Sequence, residues 1–385
     1  MSERKKLSEI CNILNGYAFK SKEYVDNGIR VIRITNVQKG IIEDADPKYY
    51  DISQKDKLKN YMLEENDLLI SLTGNVGRVG LMPKELLPAG LNQRVGCLRI
   101  KETKNISIEY LYQYLNSDNF ENECINNSNG IAQKNLSTEW LKDYMITVPS
   151  IEEQKQITKK LEKVQKITKT KKEQLKELDE LIKSQFVEMF GDPVFNNLNW
   201  NELKMSELGR LERGTSKHRP RNAPELLGGI YPLIQTGDVS NSGLYITEYK
   251  STYSELGLKQ SKMWSKDTLC ITIAANIAQT SILTFDACFP DSVVGFITNG
   301  KVNNIFMHYW FEFLQKIIDS QATQVAQKNI NLKILNDLDV IVPPIELQNQ
   351  FSEFVKQIDK QKFEIENSLK EMQELYESLM EEYFG

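Results

Sequence analysis

The strongest constraint on this chain is an ungapped internal duplication. Residues 132–191 begin AQKNLSTEWLKDYMITVPSIEEQKQI and end KELDELIKSQFVEMFG. Residues 326–385 begin AQKNINLKILNDLDVIVPPIELQNQF and end KEMQELYESLMEEYFG. Ala326 and Gly385 each lie 194 positions beyond Ala132 and Gly191, so no insertion breaks the alignment. Roughly a third of the paired positions are identical, far above chance for a block this long. A repeated unit gives a molecule two equivalent ends, which suits a target or partner set that is itself two-fold.

Each copy passes from the AQKN loop through a short strand (144–148 and 339–342) to proline, and then into a long helical pattern. Ser150 or Pro149 opens the first helix, with Glu152 and Glu153 at its positive end, and Gly191 closes it. The apolar spacing alternates between 3 and 4. It runs Ile157, Leu161, Val164, Thr168, Lys171, Leu175, Leu178, Ile182, Gln185, Met189 in the first helix. In the second it runs Phe351, Val355, Ile358, Lys362, Ile365, Leu369, Met372, Tyr376, Leu379, Tyr383. A heptad seam of this length predicts a coiled coil, each helix about 60 Å long at 1.5 Å per residue. Thr168, Lys171 and Lys362 interrupt the seam. They either fix register or mark a break in a weak coil. Ten Lys against eight acids leave the first helix at +2, whereas four Lys against ten acids leave 343–385 at −6. Opposite charge favours pairing the two helices within one chain.

The segments ahead of the helices also correspond, more loosely. KLSEI at Lys6 matches KMSEL at Lys204, and Gly16 matches Gly214. IRVIRITNV at Ile29 matches IYPLIQTGDV at Ile230, DLLIS at Asp67 matches DTLCIT at Asp267, and LNQRVG at Leu91 matches FPDSVVG at Phe289. These β-branched runs between Gly, Asn and Asp turns read as strands, whereas 110–115 and 306–318 read as helices. The expected fold is therefore α+β. Two mixed units, 1–148 and 192–342, carry two long spacer helices, 149–191 and 343–385, which form an antiparallel coiled coil with an internal pseudo-two-fold repeat.

Composition narrows the function. Net charge is −5, but the −6 of the last segment leaves the rest of the chain near +1, so a local basic face remains open. There is no apolar run long enough for a bilayer and no signal peptide pattern, and the expected location is the cytoplasm. Cys11, Cys97, Cys124, Cys270 and Cys288 are scattered, with no C-x-x-C pair, and read as free thiols rather than zinc ligands. His218 and His308 read as structural or exposed side chains before they read as bases.

The arrangement resembles the specificity subunit of Type I restriction–modification systems. The resemblance spans the whole chain. It rests on the AQKN(L/I) loop, the (V/I)-P-x-I-E-x-Q start of each long helix, the F-G end of each copy, and Gly-rich turns such as SLTGNVGR from Ser71 to Arg78. It implies two target recognition domains, each reading one half of a split, asymmetric DNA sequence. It also implies two paired helices that space them and dock modification and restriction subunits. In that family N6-adenine methylation with S-adenosylmethionine, and ATP- and Mg-dependent translocation and cleavage, belong to the partners, and this chain needs no cofactor. The sequence agrees so far as it carries no G-x-x-x-x-G-K-[ST] loop. Asp192-Pro-Val-Phe195 is a near miss to a methyltransferase tetrapeptide, better explained as a helix stop. Asp238 with Glu248-Tyr-Lys250 matches a nuclease pattern only loosely. The competing readings are a coiled-coil scaffold or adaptor with no DNA role, an enzyme with nuclease or methyltransferase activity of its own, and a specificity module of another restriction class.

The clearest DNA-contact candidate is RGTSKHRPR, from Arg213 to Arg221, whose Arg213, Lys217, His218, Arg219 and Arg221 face no acid within the segment. Such a loop can track phosphates or pair with guanine, or it is a solvated surface loop. Lys20 and Lys22 follow Gly16 at the matching place. Arg33, Thr35, Asn36, Gln235 and Thr236 follow the central strands, as base readers or as turn caps. Arg78, Gln93 and Arg94 lie on Gly-rich turns, and Asn276, Gln279 and Thr280 hold the comparable region of the second half. Lys134 and Lys328, in the AQKN loops, touch phosphate or anchor the loop.

Overall fold

The computed structural model describes residues 3–102, 104–130, 134–274, 278–313 and 330–385. The chain divides into two compact units, one of Met1–Lys171 with Ser368–Gly385, the other of Lys172–Asn367. Each unit thus holds one mixed domain, the start of the long helix that follows it, and the end of the other long helix. The helices are Ile151–Phe190 and Ile345–Phe384, 40 residues each.

In the first unit the main sheet has the order Cys11–Asn15, Val95–Ile100, Leu68–Ser71, Val79–Leu81, all neighbours antiparallel. In the second the order is Gly209–Arg213, Val293–Thr298, Leu269–Thr272, Thr280–Leu283, with Tyr245–Ile246 added parallel at the edge. Paired segments of the sequence therefore become paired strands. A smaller sheet accompanies each, Tyr49–Tyr50, Ile29–Ile32, Ala89–Leu91 in the first and Ser251–Tyr253, Leu227–Leu233, Ala287–Cys288, Met263–Trp264 in the second. Both chain entries are tied down alike. Glu3–Lys6 pairs with Met145–Val148, and Glu202–Lys204 pairs with Asp339–Ile341, just before each long helix.

Ser150 begins the first helix through a capping box. Its Oγ accepts the Glu153 amide (3.3 Å), and the Glu153 carboxylate accepts the Ser150 amide (2.9 Å). Gly191, at φ +76°, lets the chain leave the helix, and Trp200 Nε1 donates to the Phe190 carbonyl (2.9 Å). The fully buried Gln154 then locks the first turn. It donates to the Asn105 and Pro149 carbonyls (2.9 and 2.8 Å) and accepts the Ser107 amide (2.9 Å), which heads the helix Ile108–Leu115. In the second unit Gln348 donates to the Lys301 and Pro343 carbonyls (3.1 and 2.9 Å) and accepts the Asn303 amide (3.0 Å), at the head of Asn304–Phe311. That second short helix ends at Phe311, earlier than the expected 318, and residues 314–318 lie outside the described residues.

Within each unit the long helices run antiparallel. In the first, Gln165 meets Tyr376 (2.9 Å) and Lys160 meets Tyr383 (2.9 Å). In the second, Lys362 pairs with Asp179 (2.6 Å), so this polar seam residue has a partner on the facing helix. Leu161, Val164, Ile182, Phe351, Val355 and Ile358 are buried, and Ile157, Leu175, Leu178, Leu369, Met372 and Leu379 are half-buried. The deepest residues of the first helix in the second unit are Phe186 and Phe190, which the heptad seam did not include. There the helix faces its partner and the mixed domain at once, so Phe190 packs on Phe306 (5.0 Å) and Phe351 (5.4 Å). The buried face is wider than a two-helix seam. At the other repeat end, Phe384 packs on Tyr110 and Tyr114 (5.6 and 5.5 Å).

Among the described residues no helix is long and apolar enough to cross a membrane. All five cysteines are buried and free, and burial pushes the Cys11 thiol up to about 12.

Candidate nucleic-acid interface

In each unit three segments meet at one end of the main sheet. The first is the loop after Gly16 or Gly214. The Tyr17 amide donates to the Leu91 carbonyl (2.8 Å), and the Thr215 amide donates to the Phe289 carbonyl (3.1 Å). A Cβ on Gly16 would lie 2.2 Å from the Asn92 backbone, and one on Gly214 the same distance from the Phe289 carbonyl oxygen, so both positions need glycine. The second segment is the turn 91–94 or 289–292. The third is the hairpin tip 72–78, or in the second unit its described flanks 273–274 and 278–279, joined to that turn by the Leu72 amide on the Arg94 carbonyl (3.0 Å) and the Ile273 amide on the Ser292 carbonyl (3.1 Å). The tip closes identically in both units. Ser71 Oγ accepts the Arg78 amide and Thr272 Oγ1 accepts the Gln279 amide, each at 3.0 Å. Ser71 and Thr272 are buried, and their place at the end of an apolar strand gave no sign of this use.

In the first unit this surface gathers Gln93 and Arg94, both exposed, with Lys134, whose carbonyl accepts the Gly74 amide of the tip (2.9 Å). Arg78 turns from the tip to the Gln38 side chain. Lys20 and Lys22 are exposed around the short turn Ser21–Glu23, Lys20 lying 3.5 Å from Glu23. Beside them Tyr17, Phe19, Tyr24 and Tyr61 form a half-buried aromatic group, with the Lys57 ammonium over the Tyr17 ring (5.7 Å).

In the second unit the same surface is charged. Arg213, Lys217, Arg219 and Arg221 are exposed and His218 is half-buried. Arg213 Nε donates to the Asp291 carbonyl (2.9 Å), while Arg219 and Arg221 reach the Asp291 carboxylate. Asp291 lies on the second segment, 70 or more positions from its arginine partners in sequence, and the sequence reading missed it. Gln279 is exposed on the tip. Asn276 and Lys328 lie outside the described residues.

Other candidates are used by the fold. Asn36 is 3% exposed; its Nδ2 donates to the Glu43 carbonyl (2.8 Å) and its Oδ1 accepts the Arg33 amide (2.9 Å). This is the turn-capping role, and it leaves the amide no edge to offer a base. Thr280 faces inward and shares a 2.9 Å hydrogen bond with the buried His308 ring. The Arg33 guanidinium is drawn to the Asp46 carbonyl (2.5 Å). Thr35 stays exposed. Gln235 is exposed at the head of Thr236–Asn241, its amide capped by Asp238 (2.8 Å), and Thr236 is half-buried in that first turn. Asp238 is thereby spent on a helix cap, and Asp192 on a turn, accepting the Val194 amide (2.8 Å). Among the described residues no group of three or more His, Cys, Asp or Glu could hold a metal.

The family model for the Type I restriction modification DNA specificity domain matches this chain twice, over residues 2–179 and 197–375. The chain belongs to that family. The two matches are the two halves of the internal repeat, each spanning one mixed domain and most of the helix that follows it. Over 417 aligned residues the chain is 24% identical to the Type I restriction enzyme EcoBI specificity subunit of Escherichia coli, covering 98% of this chain and 84% of that relative. The fold matches the crystal structure of a Type I restriction–modification S subunit from M. genitalium with a TM-score of 0.57 at 13% identity, over 100% of this chain and 96% of the other. It also matches a structure described as the structural basis of complex assembly and conformational transition of the type I R-M system, with a TM-score of 0.64 at 16% identity, over 100% and 97%. The chain is thus a DNA sequence-specificity subunit of the Type I restriction–modification kind.

Proposed function

We propose that this chain reads a bipartite, asymmetric DNA target for a Type I restriction–modification enzyme, one half-site per mixed domain, without chemistry of its own. The carrying observation is that one backbone surface occurs in both units and bears different side chains in each. A shared scaffold keeps the mode of docking, and different side chains select different bases. In the first unit Gln93 reads a base, with Arg78, Arg94, Lys134, Lys20 and Lys22 on phosphate. In the second Gln235 and Gln279 read bases, and Arg213, Lys217, His218, Arg219 and Arg221 line a loop that follows phosphate. The long helices set the gap between half-sites and dock two modification subunits and the restriction subunits. S-adenosylmethionine, ATP and Mg act in those partners, in the cytoplasm.

The test is a methylome. The chain is expressed with its modification subunit in a host lacking adenine methylation, and N6-methyladenine is mapped by single-molecule sequencing. Methylation at one split, non-palindromic motif, present only with this chain, is the expected result. An unmethylated genome despite a formed and catalytically competent complex would remove the reading.

A further inference from the structure

Unit 2 places an acid where unit 1 places a neutral residue, and it does so where the opposing loop is basic. The matched bonds of the two turns align Asp291 with Gln93 and the loop 214–221 with the loop after Gly16. In the first unit that loop brings Tyr17, Phe19, Lys20 and Lys22, Lys20 lying 3.5 Å from Glu23 of its own segment, and its turn brings Gln93 and Arg94. In the second it brings Lys217, Arg219 and Arg221, and its turn brings Asp291. Resting on the DNA reading above, we propose that Asp291 is a built-in counter-ion, occupying the arginines of this loop until a DNA phosphate displaces it.

The geometry fits that exchange. Arg219 NH1 is anchored to the Ser216 and His218 carbonyls (2.6 and 2.8 Å), while its NH2 lies 3.6 Å from Asp291 Oδ2. Arg221 NH2 takes Oδ1, and Arg213 Nε holds the backbone of the same residue. Two carboxylate oxygens thus sit before two guanidiniums, the arrangement that two non-bridging phosphate oxygens would take. The Asp291, Arg219 and Arg221 side chains are 36%, 55% and 45% exposed. Exposed ion pairs add little stability, so the fold does not depend on this one and a phosphate can replace the carboxylate at small cost. Meanwhile the carboxylate holds the guanidiniums in a binding arrangement and lowers their pull on any passing duplex. The consequence is selectivity. A DNA that docks poorly does not bring a phosphate close enough to win the exchange, and non-specific binding, which is almost wholly electrostatic, is suppressed.

The test uses the full chain assembled with its modification subunits and a short random-sequence duplex, read by fluorescence anisotropy over a salt series. Asp291→Asn keeps the shape and removes the charge, and Asp291→Ser is a second variant should the first fold poorly; thermal unfolding checks both. The expected result is several-fold tighter random-sequence binding, with a salt slope steeper by about 1. Adding Arg219→Gln and Arg221→Gln should abolish the gain. Unchanged or weaker binding by Asp291→Asn, with wild type binding normally, would overturn the counter-ion role and make Asp291 a support for the bound state. If no version bound DNA in a salt-dependent manner, the DNA reading itself would fall, and this inference with it.

Discussion

Gln348 repeats, bond for bond, what Gln154 does 194 positions earlier. Each is fully buried, donates to two carbonyls and accepts one amide, and so ties the first turn of a long helix to the head of a short one. Gln154→Ala or Gln348→Ala would leave three backbone groups without partners in a dry place. An unpaired buried group costs about 1–3 kcal/mol, so each variant should lose on the order of 3 kcal/mol in urea unfolding. A loss below about 1 kcal/mol would mean that water replaces the carboxamide.

Arg99 and Asp67 form a second tie, confined to the first unit. Arg99 Nε and NH2 lie 2.8 and 2.7 Å from the two carboxylate oxygens of Asp67, which is 2% exposed. The pairing raises the Arg99 pKa still further, so the guanidinium stays charged. Removing one partner strands the other. Arg99→Met should cost about 3 kcal/mol, and Asp67→Leu in the same chain should recover most of it. A double variant no better than the single one would show that the pair is not energetically coupled.

The heptads, the strand runs and the start of the first long helix at Pro149 or Ser150 were legible because they are local and periodic. Phe186 and Phe190 were not, since a seam drawn for two helices omits the extra face buried against a third element. Asn36 and Gln235 both read as base readers or turn caps after the central strands, yet nothing in the sequence states that Asn36 turns inward onto Glu43. Asp291 was missed for a related reason. Its partners are 70 and more positions away, and charge pairing across that distance is settled by the sheet, not by neighbouring letters. The loop 213–221 was read as free of acid, and within its own segment it is.

The three-segment surface makes separable predictions for the first unit. Arg94→Gln and Lys134→Gln should each weaken DNA binding by the assembled complex across all sequences and reduce the salt slope by about 1. Gln93→Ala should instead relax the motif at one position of one half-site in a methylome. Asn36→Ala should leave the motif intact while costing about 2 kcal/mol of stability, because its amide serves a turn. A changed motif with Asn36→Ala, or an unchanged slope with both cation variants, would move the interface elsewhere.

His308 gives the second unit an acid limit. The ring is 8% exposed, and burial lowers its pKa from the ordinary 6.5 to about 4, with Lys362 adding to the shift. The folded state therefore holds it neutral, hydrogen-bonded to Thr280 at 2.9 Å, while the unfolded chain takes up a proton near pH 6.5. Between those values the unfolded state binds more protons, so the contribution is fully present above about pH 6.5 and is lost as pH falls toward 4. At 1.36 kcal/mol per pKa unit the ceiling is on the order of 3 kcal/mol. His308→Gln removes the titrating group. It should cost stability at pH 7 through lost packing, yet the gap to wild type should narrow steadily down to pH 4.5 in urea unfolding. Parallel pH profiles for the two proteins would show that acid destabilisation enters through other groups.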